Sequence, residues 1–497
     1  MLNMAVRNTN KLIREVSRTD NIRMGRFFTK KAEARHMASL ISPPDAEECT
    51  LLDAGAGTGI LAIAAIERLC LAAKSLRIAV TCYENDPIML PMLRDNMERI
   101  RKRCRRLYGV KLLVTVKDED FMASGDENVY DIVIMNPPSR PIEPQAAEAL
   151  AFSKLYRKET DICYLFALKA FAQLKDQGQA IFLLPSAFAC GVYIEPMRRF
   201  LLDNAALTHI LLADNGRRAP ELLGKAAASA PPFAKHMACR LVKSEAQGEI
   251  TLITVAPNGE GTPFAPFAPH FILRGEEKNI LLLRNRDEEE VVRFVESQTE
   301  TLSSLGLRMR TGLTLASRYA DCLRAKSGAD TVPLIRPRGL AGGRVTFPLN
   351  DGRDYLVPRL PSLRQKNKNL LLIKRVPTKK DGRHIVAAVY YASQFPRVPY
   401  ISTDNKLNFI DYADDREMSV PLVTGLYALF SSSLYDRYLT IISDVRRVNS
   451  SLYDTLPLPS EKMLIEIGRQ LTLLRGMNER TIDATVTAVF RKYSRLS

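Results

Sequence analysis

Four short runs in the first third of the chain carry side chains suited to chemistry. The most telling is Asn136-Pro137-Pro138-Ser139, which follows the apolar run DIVIM at 131–135. A proline pair directly after a buried strand stiffens the exit and keeps the chain from curling into a helix. It therefore fixes an acceptor array. The Asn136 side-chain oxygen and the Pro137 carbonyl can both receive hydrogen bonds from an exocyclic amine, which favours its pyramidalisation and exposes its lone pair for attack. No covalent intermediate is needed. The other three runs are Asp53-Ala54-Gly55-Ala56-Gly57-Thr58-Gly59, Tyr83-Glu84, and the segment from Lys117 to Asp120-Phe121. Glycines let a backbone approach a ligand closely, and a helix opening at Ile60 offers unpaired amides at its positive end.

These runs sit where strands should end. Between Cys49 and Leu184 short apolar runs alternate with longer amphipathic ones, the pattern of βαβ units in a parallel sheet. The candidate strands are 50–53, 78–84, 112–116, 131–135 and 179–184, with helices after most of them. The spacing predicts a helix over 161–175, stopped by Asp176-Gln-Gly178. The fold class expected is α/β, a Rossmann-like doubly wound sheet. The Ala- and Pro-rich stretch 222–232 and the Pro/Gly segment 257–269 (PNGEGTPFAPFAP) predict a boundary and no regular structure. The organisation expected is an N-terminal basic arm over 1–45, a catalytic domain over 46–250 and an α+β domain over 260–497. The last ends in predicted helices at 460–475 and 479–492.

With 71 Lys+Arg against 55 Asp+Glu among 497 residues, the chain has a formal charge of +16. A field of that sign gathers polyanions, nucleic acid first. The most apolar stretch, 59–73, is interrupted by Glu67 and Arg68 and is shorter than the roughly 20 residues a spanning helix needs. No membrane association is expected. The start of the chain lacks the apolar core and cleavage site of a secretory signal, and the eight cysteines form no CxxC pair, so reduced buried thiols in the cytoplasm are the expectation. Only five His are present and no metal site is expected.

The DxGxGTG form of the loop resembles the S-adenosylmethionine loop of Rossmann-like methyltransferases, in contrast to the GxGxxG of nicotinamide enzymes. In that frame Glu84, about 25 residues on, accepts from ribose hydroxyls, Asp120 accepts from the adenine amine of the cofactor, and Phe121 packs on its ring. Alone, Glu84 would be a solvated strand end and Asp120 a helix cap. DAGAGTG followed by NPPS then resembles the amino-methyltransferases, in particular the gamma-class N6-adenine DNA methyltransferases of type II restriction-modification systems. The run GRFFTKKAEARHMASLI (25–41) resembles that family's motif closing over the methionine end of the cofactor, with Phe28 and Thr29 at its most typical positions. Further similarity runs through 164–188, and through 426–459, where Asn449 precedes Leu456-Pro457. Among members of similar length the chain is similar to the PstI/BsuBI-type modification enzymes, which implies the site CTGCAG. The cofactor set implied is Phe28, Thr29, Asp53, Ala54, Gly55, Gly57, Gly59, Glu84, Asp120, Phe121 and Asn136. The catalytic set is Asn136, Pro137, Pro138, Ser139 and Phe233.

One departure matters. The family places an aromatic after NPP to stack on the extruded base, and serine cannot stack. Phe233 is where a second family aromatic falls, with packing of a linker as its alternative, and Ser139 keeps cytosine N4 open as a target. From Arg336 to Arg383 the chain carries 13 Lys+Arg against 3 Asp+Glu, interleaved with Tyr355, Asn367 and Asn369. Such residues neutralise phosphates and read guanine and adenine edges in duplex DNA. The basic cluster 94–106 reads instead as a solvated helix face. No nuclease motif is evident, so a partner restriction endonuclease is expected as a separate chain. RNA or protein glutamine is the alternative substrate, and a silent nucleic-acid-binding module is a third reading.

Overall fold

The computed structural model describes residues 1–15, 28–72, 77–125, 127, 129–142, 155, 161–214, 233, 235–377, 383, 385–442, 453–474 and 477–494. They separate into two compact units, Met1–Asn285 and Arg286–Ser497.

The first unit is built on a nine-stranded sheet. Its strands are β1 (Glu48–Ala54), β2 (Arg77–Tyr83), β3 (Lys111–Lys117), β4 (Tyr130–Met135), β5 (Leu174–Pro185), β6 (Ala205–Ala213), β7 (His236–Lys243), β8 (Thr251–Val255) and β9 (Gly261–Pro263). The order across the sheet is β3-β2-β1-β4-β5-β7-β6-β8-β9. Strands β1 to β5 are mutually parallel, and β7 enters antiparallel between β5 and β6. Buried parallel strands need apolar side chains on both faces, which is why β4 reads as a nearly continuous aliphatic run. The register of β1 on β4 is pinned by Asp131, whose Oδ2 accepts from both the backbone N–H (2.8 Å) and the hydroxyl (2.7 Å) of Thr50.

Helices α1 (Leu2–Glu15), α2 (Lys31–Ser39), α3 (Ile60–Ala72), α4 (Leu90–Tyr108), α5 (Ile162–Ala172) and α6 (Glu195–Asn204) complete this unit. In α4 Leu93, Met97, Ile100 and Cys104 recur at helical spacing and are buried. Its opposite face carries exposed Arg99–Asp95 and Arg101–Glu98 pairs, the solvated face expected of 94–106.

Two sequence expectations need correction. The helix expected over 161–175 stops at Ala172, and Asp176-Gln-Gly178 lies inside β5 as an irregularity, because Tyr130 pairs with Leu174 before the register shifts to Ile132 and Gln179. The segment 257–269 is not structureless: β9 pairs with β8, and Phe267 exchanges hydrogen bonds with Ile250. Its three-residue strand is exposed and leaves no alternation to read. The first unit runs to Asn285, within a few tens of residues of the Pro/Gly segment 257–269. Buried Arg198 on α6 donates to the Glu277 carbonyl (3.0 Å) and to Asn279 Oδ1 (2.8 Å), and Lys278 donates to the Leu202 carbonyl (2.8 Å). The stretch 222–232 lies outside the described residues.

The second unit is α+β. It holds a six-stranded and a five-stranded sheet with helices Arg286–Glu296, Val420–Ser431, Ser433–Ile442, Glu461–Leu473 and Glu479–Ser494. The two expected C-terminal helices are there, the first capped by Ser460. Helices Val420–Ser431 and Glu461–Leu473 touch backbone to backbone: a Cβ on Gly468 would lie 1.8 Å from the Pro421 carbonyl oxygen, and one on Gly425 would lie 1.9 Å from that of Leu464. Backbone cannot yield as a side-chain tip does. Gly468→Ala should therefore destabilise the second unit by about 2 kcal/mol or more in chemical denaturation, with little change in the unfolding of the first.

Candidate functional site

Strand order reverses between β1 and β4, since the chain builds β1-β2-β3 outward and then returns to the other side of β1. Crevices outside the carboxyl ends of strands at such a switch are where open α/β sheets take ligands. Here that crevice is a cavity of about 370 Å³. Its lining includes Phe28, Gly55, Gly57, Glu84, Asp120, Phe121, Asn136, Pro137 and Pro138, nine of the residues expected from sequence. Residues not foreseen line it too: Tyr83, Asn85, Asp86, Pro87, Met89, Glu119, Arg140, Ile162 and Phe166.

The glycine loop closes onto β2. Gly55 and Ala56 N–H both donate to the Tyr83 carbonyl at 2.9 Å, and Gly57 N–H donates to Glu84 Oε2 at 2.6 Å. Glu84 Oε1 accepts from Asp86 N–H at 2.9 Å, so this carboxylate organises the rim as well as facing it. Burial pushes its pKa above the ordinary carboxylate range. A side chain is excluded at Gly55, where φ is +78° and a Cβ would lie 3.3 Å from Pro138 Cδ; at Gly57 a Cβ would meet nothing within 4 Å. The loop is thus drawn tight against the NPP exit on one side and open on the other.

Asp53, Ala54 and Gly59 do not line the cavity. Ala54 ends β1 fully buried. Gly59 serves packing, because a Cβ there would lie 2.8 Å from Leu93 on α4. Asp53 is 1% exposed, and its Oδ2 accepts from Ala62 N–H in the first turn of α3 at 3.0 Å. It shapes the loop from below. Underneath, Asn96 Nδ2 donates to the Thr58 carbonyl (3.0 Å), Asn8 of α1 donates to Asn96 Oδ1 (2.9 Å), and the Thr9 and Thr58 hydroxyls lie 2.7 Å apart.

At the end of β4, Asn136 Nδ2 donates to Thr29 Oγ1 at 3.1 Å, which fixes the orientation of the amide. Thr29 is not part of the lining and is linked to the site by this bond. Ser139 turns out of the cavity: its Oγ donates to Asp161 Oδ2 at 2.7 Å. Asp161 also caps α5 by accepting from Cys163 N–H (2.9 Å) and takes the Arg140 N–H (3.2 Å) on the same oxygen. Lys169 on α5 donates to the Met122 (3.0 Å) and Ser124 (2.6 Å) carbonyls, fixing the loop behind Asp120 and Phe121. Asp120 Oδ1 accepts from Met122 N–H at 2.8 Å. The Phe121 ring packs edge-on to Tyr83 (5.0 Å between centroids) and tilted to Phe166 (5.5 Å).

Phe233, expected to hold a base, is not brought to the cavity. At φ +57° its ring is 1% exposed in the core with Leu211, Ala238 and Val255, and its N–H donates to Glu33 Oε1 at 3.2 Å.

In the second unit the basic stretch 336–383 is partly spent on the fold. Arg336 pairs with Asp351 (2.5 Å) and Asp354 (3.3 Å), Lys366 and Lys368 with Asp415 (3.4 and 3.1 Å), Arg383 with Glu479 (3.3 Å), and Arg359 with Asp321. Asn367 Nδ2 donates to the Ala392, Phe395 and Val398 carbonyls, and Asn369, 8% exposed, donates to the Met418 carbonyl and accepts from Ala392 N–H. Neither asparagine is available to a base edge. Tyr355 packs edge-on to Phe347. Exposed Arg338, Arg344 and Arg353 have no side-chain hydrogen bond or ion pair among the described residues. Residues 378–382 and Asn449 lie outside them.

Burial pushes the Asp53 carboxyl up to about 7, opposed by the Ala62 N–H and reinforced by Glu84. A folded-state pKa raised above the unfolded value favours folding below about pH 4, and that contribution is lost as pH rises through about 7. Asp53→Asn keeps the acceptor and removes the titration. Its stability relative to the parent should rise between pH 4 and pH 8, by about 1.4 kcal/mol per unit of raised pKa at most. Urea denaturation at both pH values checks this, and a constant difference would refute it.

Residues 68–217 match the family model described as Eco57I restriction-modification methylase. The chain is 25% identical over 469 residues to the type II methyltransferase M.PstI of Providencia stuartii, an alignment covering 90% of this chain and 89% of that one. It is 22% identical over 461 residues to the type II methyltransferase M.BsuBI of Bacillus subtilis, with the same two coverages. Among solved structures, the type IIG restriction endonuclease BpuSI aligns over 92% of this chain and 64% of that one, at 13% identity and a TM-score of 0.46. The loop, the switch-point cavity and the NPPS exit thus lie on one sheet edge of a chain that is similar over residues 68–217 to the Eco57I restriction-modification methylase family, and over nine-tenths of its length to type II methyltransferases.

Proposed function

We propose that the chain is a site-specific DNA methyltransferase acting on adenine N6, with S-adenosylmethionine as methyl donor. The observation that carries this reading is the meeting of Asn136, Pro137 and Pro138 with Gly55, Gly57, Glu84 and Asp120 around one cavity. The residues fit the donor's parts. The Glu84 carboxylate suits ribose hydroxyls, the rings of Tyr83 and Phe121 offer an apolar wall for a purine, and the open space at Gly57 lets a ligand approach the backbone. When bound, S-adenosylmethionine supplies an electrophilic methyl group on a sulfonium. The chain's own task is to present the amine. Asn136, oriented by Thr29, and the Pro137 carbonyl accept the two amine protons and leave the nitrogen lone pair outside the ring plane. Alkylation leaves the nitrogen cationic, and one of the protons held in those hydrogen bonds then passes to solvent water, restoring a neutral amine.

An adenine in duplex DNA must leave the stack to reach such a cavity, at a cost of roughly a few kcal/mol. Phosphate contacts by the basic second unit offset it, with Arg338, Arg344 and Arg353 the residues proposed for them. The same unit favours nucleic acid over the protein-glutamine alternative, and RNA stays a competing substrate. Ser139 keeps cytosine N4 as the second reading, since the aromatic typical of adenine enzymes is missing. A separate restriction endonuclease and a cytoplasmic location complete the proposal; among the described residues no helix is long and apolar enough to cross a membrane.

The deciding experiment is transfer of labelled methyl groups to a CTGCAG duplex, to scrambled duplex, to RNA and to protein, with identification of the modified base. Asn136→Ala should lose transfer by about a thousandfold while cofactor affinity stays within a few fold. Glu84→Ala should weaken cofactor binding in calorimetry. Full activity in Asn136→Ala would sink the mechanism. Replacing Arg338, Arg344 or Arg353 by Ala should each lower the slope of log affinity against log salt by about one and weaken specific and scrambled duplex alike.

A further inference from the structure

Building on the amino-methyltransferase reading above, the loop after β4 leaves one question about the extruded base: what it rests against. The position after Pro138 cannot answer it, because Ser139 lacks a flat face and its hydroxyl is engaged by Asp161 at 2.7 Å, away from the cavity. The rings nearby are already assigned, since Tyr83 and Phe121 form the wall proposed above for the donor's purine. Tyr83, Phe121 and Phe166 are 1%, 2% and 7% exposed and packed on one another along β2, the loop after β3 and α5. Phe233 is in the core. Among the described aromatic residues of the lining only Phe28 is not buried, and it adjoins Thr29, the tether of Asn136.

Arg140 is different. It lines the cavity beside Asn136, Pro137 and Pro138, and it is exposed. Its backbone is held at both ends: the N–H donates to Asp161 Oδ1 at 3.2 Å and the carbonyl accepts from Ile162 N–H at 3.0 Å. Pro138 precedes it by two residues and Pro141 follows directly, pairing with Asp161 in an isolated bridge. The side chain therefore springs from a fixed point at the cavity rim. A guanidinium is planar, delocalised and weakly hydrated, and it stacks on nucleobase faces as an aromatic ring does. An ammonium has the charge without the plane.

We propose that Arg140 supplies the flat face for the target nucleobase, in the place left without one by Ser139, and that Asp161 is the positioning residue that turns Ser139 outward and Arg140 inward. The full chain is tested with a duplex substrate as Arg140→Ala, Arg140→Lys, Arg140→Phe and Arg140→Trp, with calorimetric cofactor affinity confirming that each variant is folded. Arg140→Ala should lose about ten- to a hundredfold in kcat/KM, the range for one lost stacking face. Arg140→Lys should lose as much, and Arg140→Phe should recover most of the rate. With 2-aminopurine at the target position, Arg140→Trp should quench the emission of the extruded base relative to the parent. A fully active Arg140→Lys would assign the residue to a phosphate and overturn the proposal, as would an unchanged emission in Arg140→Trp. If the parent chain methylates but Arg140→Ala is unaffected, this inference fails alone. Should the parent transfer no methyl group to any nucleic acid, the functional reading fails and takes the inference with it.

Discussion

The structure of the first unit depends on β1 being clasped by parallel neighbours on both sides, β2 and β4. Parallel pairing forces each connection to cross over the sheet, and the crossovers from β1 and into β4 leave in opposite directions. A gap at the carboxyl edge is the geometric result. The residues that line the cavity are hung on the rim of that gap, and the Thr50–Asp131 hydrogen bonds keep the two strands that define it from slipping. A one-residue slip would move the Asn136 side chain to the other face of the sheet.

The rim is a connected hydrogen-bonded structure more than a row of independent contacts. Glu84 holds the glycine loop through Gly57, Thr29 holds Asn136, Asp161 holds Ser139 and Arg140, and Lys169 holds the loop behind Phe121. Most of these partners are charged or amide groups bonded to backbone, which is how a site made of loops gains the rigidity of the strands beneath it. The apolar lining then serves mainly to dry the cavity and strengthen those bonds.

Much of this was legible in the sequence. The strand ends and their acidic or glycine-rich tips announced themselves because periodicity and turn residues are local signals; eight of the nine expected lining residues lie there, and Phe28 came from the resemblance of the 25–41 run to a family motif. What escaped was non-local. The Ser139–Asp161 bond joins residues 22 apart and depends on where α5 begins, and Asp161 stood out only as the first residue of a predicted helix. Asn367 and Asn369 looked like readers of base edges because the same donors and acceptors also close loops; only the fold reveals that the Ala392, Phe395, Val398 and Met418 carbonyls take them. Phe233 sat at a family spacing, yet its left-handed backbone and the bond to Glu33 turn the ring into the core.

The floor of the glycine loop has a thermodynamic consequence. Thr58 is gripped from below by Thr9 and, through Asn96, by Asn8, so α1 and the loop share one hydrogen-bonded unit. Docking of α1 and ordering of the loop are then two sides of one equilibrium: any molecule that selects the ordered loop also favours the docked helix, and to the same extent in free energy. The backbone amides of α1, far from any reacting atom, would therefore exchange with deuterium more slowly in the presence of whatever fills the crevice.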